Sequence, residues 1–148
     1  MSKYKDEIKK LPRVTLDAIS EVCRRMLPNA YYKEHPWLLP YGDKNYAKIF
    51  DQEDELNGYA AAYTNWHKGK LRIAFDHMPT DTFVGEIAVI DWACGQGLAT
   101  IFLHEYLEEK GYNCRIKEVI LIEPSEKALD RAKFFIEAND SKIKVSTE

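Results

Sequence analysis

The sequence has no apolar run that approaches the roughly 20 residues of a membrane-spanning helix, so no membrane association is expected. Residues 1–6 carry positive charge with no apolar stretch behind it, and no secretory signal is expected there. Cysteine is scarce: Cys23, Cys94 and Cys114 form no CxxC pair and no metal-ligand spacing, so no metal site is predicted. A sparse, odd-numbered set of cysteines is typical of the reducing cytoplasm, which we predict as the location.

The chain also has no excess of basic over acidic residues. The net charge of −3 gives no global electrostatic case for binding nucleic acid. Residues 1–30 are mildly basic, with seven Lys and Arg against four Asp and Glu, but they contain no basic run interleaved with aromatic residues. Solvated helix faces therefore explain this charge better than an RNA-binding arm does.

The first part of the chain, residues 1–80, is predicted to be helical. Thr15 is placed to cap a helix that runs up to Pro28, and a longer helix spans residues 51–79. Residues 28–50 are rich in proline and aromatic residues and predict a loop or short broken helices. We expect the longer helix to cover the following sheet with a wide stripe formed by Leu56, Tyr59, Ala60, Tyr63, Trp66, His67, Leu71, Ala74 and Phe75.

The second part, residues 81–148, alternates strand and helix. Apolar runs at residues 87–90 and 119–122 predict parallel strands buried on both faces, and a third strand begins at residues 143–145. The helices between them have recognisable ends at Gly111 and Ser125. The predicted fold class is α/β, a partial Rossmann-like parallel sheet in the order β-α-β-α-β with right-handed crossovers, preceded by the N-terminal helical region.

The turn after the first strand, residues 91–97, carries the strongest functional signal. Gly95 and Gly97 lack Cβ atoms, so the chain can turn tightly and a ligand can approach the backbone. The N–H groups of the following helix, from Leu98 on, face the same space and suit a carboxylate or a phosphate. Glu123 closes the second strand 26 residues after Gly97, where a carboxylate can accept both hydroxyls of a ribose. Together these features predict a nucleoside-type ligand.

These motifs resemble those of class I S-adenosylmethionine-dependent methyltransferases. The turn Asp-Trp-Ala-Cys-Gly-Gln-Gly is similar to their first motif, and Ile-Glu-Pro-Ser at residues 122–125 is similar to their second. The resemblance covers residues 82–148 and implies S-adenosylmethionine as the cofactor. It assigns cofactor binding to the turn and to the end of the second strand, that is, to Asp91, Ala93, Cys94, Gly95, Gly97 and Glu123.

The implied roles differ within this set. Gly95 and Gly97 would back the methionine portion of the cofactor, while Asp91 would lie near its ammonium group, directly or through water. Glu123 would hold the adenosine ribose. Ala93 stands where most members of the family have Gly. Because the sequence places no base beside it, Cys94 is interpreted as a packed or cofactor-adjacent thiol rather than as a nucleophile.

Two alternatives remain open. A nicotinamide-binding Rossmann domain is one, although its GxGxxG fingerprint is met only in part, by Gly95, Gly97 and then Thr100. The other is a noncatalytic interaction module that binds a second copy or a partner chain, since a third strand with no following helix would leave an open apolar edge. The stripe residues could wall the cofactor pocket, but their helical spacing favours a place in the core.

The family's fold has a larger sheet than the three strands counted here. We therefore expect residues 81–148 to be the first half of a truncated domain, inactive on its own, that belongs to a longer methyltransferase. Methyl transfer from a sulfonium is an in-line displacement, in which alignment of the reactants supplies much of the acceleration. The sequence identifies neither the catalytic residues nor the methyl acceptor, which could be RNA, protein or a small molecule.

Overall fold

The computed structural model describes residues 3–29, 31 and 49–148. Within them the helices are α1 Lys3–Lys9, α2 Leu16–Met26, α3 Glu53–Asp76, α4 Leu98–Lys110 and α5 Glu126–Asn139. The strands are β1 Gly85–Trp92, β2 Cys114–Ile122 and β3 Lys144–Thr147, and they form a parallel sheet in the order β1-β2-β3. The predicted class is confirmed: N-terminal helices precede a β-α-β-α-β unit.

The helix ends follow from local sequence. Thr15 Oγ1 accepts a hydrogen bond from Ala18 N at 3.2 Å, and Ser125 Oγ accepts one from Ala128 N at 3.1 Å, so both predicted N-caps are confirmed. Gly111 ends α4 with a φ of +66°, a left-handed conformation that glycine adopts without strain. Most of the loop predicted for residues 28–50 lies outside the described residues.

The sheet carries both crossover helices on one face. Helices α4 and α5 contact each other and pack on the strands, where Val119 and Leu121 are fully buried. On the opposite face Ile90 and Trp92 of β1 are 57% and 73% exposed. The prediction that this strand is buried on both faces is therefore wrong for the part of the chain that the structure describes. Successive right-handed crossovers in one direction along a sheet place their helices on the same side.

The N-terminal helices form a further layer outside α4 and α5. The main neighbours of α3 are α2 and α4, while α1 packs on α2 and α5. The stripe of α3 was expected to cover the sheet, but its buried side, which includes Ala60 and Ala61, packs among helices, and Trp66 is 44% exposed. No helix in the described ranges is long and apolar enough to cross a membrane.

Arg131 of α5 joins these layers. Its guanidinium donates to Asn57 Oδ1 of α3 at 2.9 Å and to Cys23 Sγ of α2 at 3.3 Å. The same group lies over the ring of Tyr4 in α1, 4.2 Å from the ring centroid. The side chain is only 1% exposed, and its charge is partly balanced by Glu53 at 3.5 Å. One buried cation thus holds α1, α2 and α3 against the helix that follows β2.

Candidate functional site

The turn between β1 and α4 has an unusual backbone. Ala93, Gly95 and Gly97 have φ values of +52°, +52° and +69°, so every second residue is left-handed. Cys94 N donates to Ile122 O at 3.1 Å, which ties the turn to the end of β2. Ala93 is the one residue other than glycine with a positive φ in the described ranges, and it stands where the resembling family has Gly.

The two glycines have different surroundings. A Cβ on Gly97 would lie 3.0 Å from Ala132 Cβ, closer than side chains pack, so this glycine lets the start of α4 approach α5. A Cβ on Gly95 would meet nothing within 4 Å. Gly95 therefore leaves open space beside the backbone, and Gly97 serves helix packing.

Glu123 lies against the turn. Its Oε2 accepts a hydrogen bond from Gly95 N at 2.9 Å, and its Oε1 accepts one from Ser125 N at 3.1 Å. Each carboxylate oxygen has two lone pairs, so both oxygens keep the capacity to accept from a ligand hydroxyl. The carboxylate therefore connects the glycine turn to Ser125, the residue that caps α5.

Asp91 lies at the other end of the turn, at the close of β1. Thr100 Oγ1 donates to Asp91 Oδ2 at 2.7 Å. Burial raises the pKa of Asp91 above its usual value, and the hydrogen bond from Thr100 offsets part of this rise. No cation pairs with this carboxylate in the described chain, so a cationic ligand group beside it would stabilise its charged form.

These groups border one cavity of about 480 Å³ between the strand ends and α3. Of the residues predicted for the site, those that line it are Asp91, Ala93, Cys94, Gly95 and Glu123, whereas Gly97 does not. Further lining residues include Phe50, Leu56, Tyr59, His67, Leu71, Trp92, Gln96 and Ser125. Among the described residues, the lining includes two carboxylates and no lysine or arginine.

The wall opposite the turn comes from α3. Tyr59 OH and His67 Nε2 are hydrogen-bonded at 2.8 Å, and the Tyr59 ring stacks on Tyr63 with centroids 4.9 Å apart. Burial lowers the pKa of His67 and raises that of Tyr59. The helical spacing favoured a core position for these residues, whereas the structure places Tyr59 and His67 at the cavity.

Gln96 is a residue of the cavity that sequence reasoning did not single out. It is 2% exposed, and its Nε2 donates to Leu56 O of α3 at 2.8 Å, which joins the turn to the opposite wall. Its Oε1 is buried with no hydrogen-bond partner among the described residues. Because this oxygen is inaccessible, Gln96 contributes to the site through its bond to Leu56 O and not as an acceptor for a ligand.

Cys94 is not positioned as a nucleophile. The side chain is 8% exposed, and burial, followed by the charges of Asp91 and Glu123, raises the pKa of its thiol to about 12. The group therefore stays a thiol at neutral pH. No cluster of three His, Cys, Asp or Glu side chains that could hold a metal ion occurs in the described part of the chain.

Comparisons with protein-family models, curated proteins and solved structures find no match for this chain. The resemblance to class I methyltransferases therefore rests on the short motifs at residues 91–97 and 122–125. A function has to be argued from the chemistry of the cavity.

Proposed function

We propose that the cavity binds S-adenosylmethionine and that the chain is the cofactor-binding portion of a methyltransferase. The observation that carries the proposal is the hydrogen bond from Gly95 N to the Glu123 carboxylate at the edge of the cavity. Asp91 lines the same cavity, and no basic residue in the described chain does. Such a cavity favours a ligand rich in donors and positive charge. S-adenosylmethionine presents an ammonium group, a sulfonium and a ribose diol.

The residues present fit these groups. Asp91, whose pKa is raised by burial and which has no cation partner among the described residues, suits the ammonium group. Glu123 keeps lone pairs for the ribose hydroxyls, and the open space beside Gly95 admits a ligand close to the backbone. A volume of about 480 Å³ lies within the range of small-molecule sites. When bound, the cofactor would supply a methyl group activated by positive sulfur, and the chain would orient it and exclude water.

A nicotinamide dinucleotide fits less well. In dinucleotide-binding folds the pyrophosphate lies on N–H groups at the start of the first helix. Here the turn begins with the carboxylate of Asp91, which lines the cavity with no lysine or arginine among the described lining residues, and its negative charge would repel a pyrophosphate on this turn. Electrostatics therefore favour S-adenosylmethionine over a nicotinamide cofactor for this turn.

Isothermal titration calorimetry tests the proposal. We expect heat from S-adenosylmethionine and from S-adenosylhomocysteine, and none from NAD⁺ at the same concentrations. Glu123→Ala should weaken binding by about tenfold or more, since it removes the acceptor of the ribose hydroxyls. Glu126→Ala is the matched control, because Glu126 is an exposed glutamate in the first turn of α5 that does not line the cavity.

Two results would count against it. If neither S-adenosylmethionine nor S-adenosylhomocysteine produces heat at protein concentrations that detect millimolar binding, this chain does not bind the cofactor. Equal affinities of Glu123→Ala and the native chain would leave cofactor binding in place but refute the assignment of the ribose to Glu123.

A noncatalytic interaction module is the second candidate, favoured because β1 is an edge strand of the described sheet and exposes Ile90 and Trp92. Antiparallel pairing of β1 with its copy about Ile90 would set Ala88 opposite Trp92 and would place no two carboxylates opposite each other. A second copy of the chain is therefore the occupant that we propose. Sedimentation velocity should then show a concentration-dependent dimer that Ile90→Lys abolishes by placing two ammonium groups face to face. A native chain that stays monomeric at all concentrations would exclude it.

A further inference from the structure

Helix α3 packs among the helices and also borders the cavity. Ala60, Ala61 and Thr64 are buried among the helices. Tyr59 and His67 lie two turns apart on α3, and both line the cavity opposite the glycine turn. Their polar atoms are hydrogen-bonded to each other at 2.8 Å beside the cavity, where they can act on a bound molecule.

The hydrogen bond between these two side chains joins two neutral groups. Burial and the charge of Lys70 lower the pKa of His67, so the imidazole is neutral at pH 7. Burial, followed by the interactions with Tyr63 and Glu123, raises the pKa of Tyr59, so the phenol keeps its proton. In the tautomer that carries its proton on Nδ1, His67 Nε2 accepts from the Tyr59 hydroxyl over 2.8 Å, and the phenol oxygen retains lone pairs that can accept a proton from a third group.

We propose that Tyr59 and His67 form the acceptor side of the site and take up the proton of a neutral hydroxyl or amine as it is methylated. This inference rests on the proposed function. In the step, the acceptor O or N forms a bond to the methyl carbon, the carbon–sulfur bond breaks, and its electron pair stays on sulfur as a thioether. The acceptor proton passes to the Tyr59 oxygen while the Tyr59 proton passes to His67 Nε2.

The charge of the cavity selects this class of acceptor. Asp91 and Glu123 line the cavity, and in the described chain no lysine or arginine does. An anionic acceptor such as a carboxylate or a thiolate would meet like charge on entry. A neutral hydroxyl or amine avoids this repulsion, but it has to lose its proton as it is methylated, and the neutral His67 supplies the place for that proton.

Sinefungin provides a probe, because it carries an amine-bearing carbon where S-adenosylmethionine has the methylated sulfur. Its amine would donate to the Tyr59 oxygen, whereas S-adenosylhomocysteine has no donor at that place. We expect Tyr59→Phe to lower the affinity for sinefungin by about tenfold and to leave that for S-adenosylhomocysteine unchanged. Tyr63→Phe is the matched control on the same helix, since Tyr63 does not line the cavity, and its affinity ratio should equal that of the native chain.

A second measurement uses the native chain alone. The ¹⁵N resonances of the His67 ring should report a proton on Nδ1, and they should shift on addition of sinefungin far more than on addition of S-adenosylhomocysteine. If Tyr59→Phe fails to fold, this measurement still decides the question. Equal shifts with the two ligands, or an unchanged affinity ratio in a folded Tyr59→Phe, would overturn the role of the pair. Absence of binding by both ligands would overturn the proposed function itself.

Discussion

Gly95 and Gly97 have nearly the same backbone conformation but should respond differently to substitution. Gly95→Ala should change the free energy of unfolding by less than about 0.5 kcal/mol, because the strain of a left-handed alanine is offset by the smaller entropy of the unfolded chain. Gly97→Ala adds overpacking against Ala132, so a loss of about 1–3 kcal/mol is expected. The order should be reversed for ligand affinity: Gly95→Ala should weaken binding more than Gly97→Ala, because Gly95 lines the cavity and Gly97 does not. Urea unfolding and calorimetry measure the two effects.

Ala93→Gly is the control for this pair. It removes the strain of a left-handed alanine, which stabilises the folded state by about 1 kcal/mol. It also raises the conformational entropy of the unfolded chain, which lowers the free energy of unfolding by about 0.4–1 kcal/mol. The net change should lie within about 0.5 kcal/mol. Equal losses of stability for Gly95→Ala and Gly97→Ala would show that the contact with Ala132 does not restrain the turn.

His67 should make stability depend on pH. Burial, and then the charge of Lys70, lowers its pKa in the folded chain, while an unfolded imidazole titrates near about 6.5. Between these two values the unfolded state binds more protons, so the free energy of unfolding falls as the pH is lowered through this window. His67→Gln cannot titrate, so the variant should gain relative to the native chain on acidification. Unfolding curves on both sides of pH ~6.5 give the difference.

An NMR titration of the His67 ring is the direct check. A midpoint at or above that of a free imidazole would contradict burial as the dominant influence. The stability difference between His67→Gln and the native chain should then be independent of pH for an equal midpoint, and its pH dependence should reverse for a higher one.

Sequence reasoning predicted one wall of the cavity and kept the other only as the less favoured alternative to a core position. Asp91, Gly95 and Glu123 were predictable because strand ends and glycine turns are local patterns, and parallel strands bring their ends to one edge. Gln96 gave no such signal, since its hydrogen bond to Leu56 O depends on where α3 packs. Tyr59 and His67 share a helix face in the sequence, but only the tertiary structure shows that this face borders a cavity.

Arg131 connects four helices, so its substitution should weaken the packing between them. Arg131→Ala removes its bond to Asn57 and its contact with the Tyr4 ring, and it leaves a cavity between four helices. We expect the free energy of unfolding to fall by about 3 kcal/mol. Arg131→Lys keeps the charge but loses the planar stacking and the forked donors, so an intermediate loss is expected. Thermal and urea unfolding measure both.

Lys133→Ala is the control on the same helix. Lys133 forms an exposed pair with Glu137 one turn away, and its loss should cost less than about 0.5 kcal/mol. A cost for Arg131→Ala as small as that of the control would mean that the helices are held by apolar packing alone.

Helix ends and helix partners differ in how far sequence determines them. Thr15, Ser125 and Gly111 act within a few residues of their own position, so the caps were predictable. The elements that pack against α3 were not predictable, because an apolar stripe indicates that a helix face is buried but not which element covers it. The stripe was assigned to the sheet, and the structure packs α3 on α2 and α4.

The whole molecule is a stack of layers with one open side. The N-terminal helices cover α4 and α5, these cover one face of the sheet, and no described helix covers the other face. The apolar runs of β1 and β2 predicted burial on both faces, since a run without alternation carries no information about which side is covered. Topology decides that question, because both crossovers place their helices on the same side.

Substitution by threonine should therefore lower the free energy of unfolding less on the open face of the sheet than on the helix-covered face. Ile90 on the open face is 57% exposed, and Ile90→Thr should change the free energy of unfolding by less than about 0.5 kcal/mol. Val119 on the helix-covered face is fully buried, and Val119→Thr hides a hydroxyl without a partner, so a loss of about 1–3 kcal/mol is expected. Both changes keep a β-branched side chain, and strand propensity therefore cancels. If Ile90→Thr were as costly as Val119→Thr at low protein concentration, where no dimer forms, the open face would have to be covered within the chain itself.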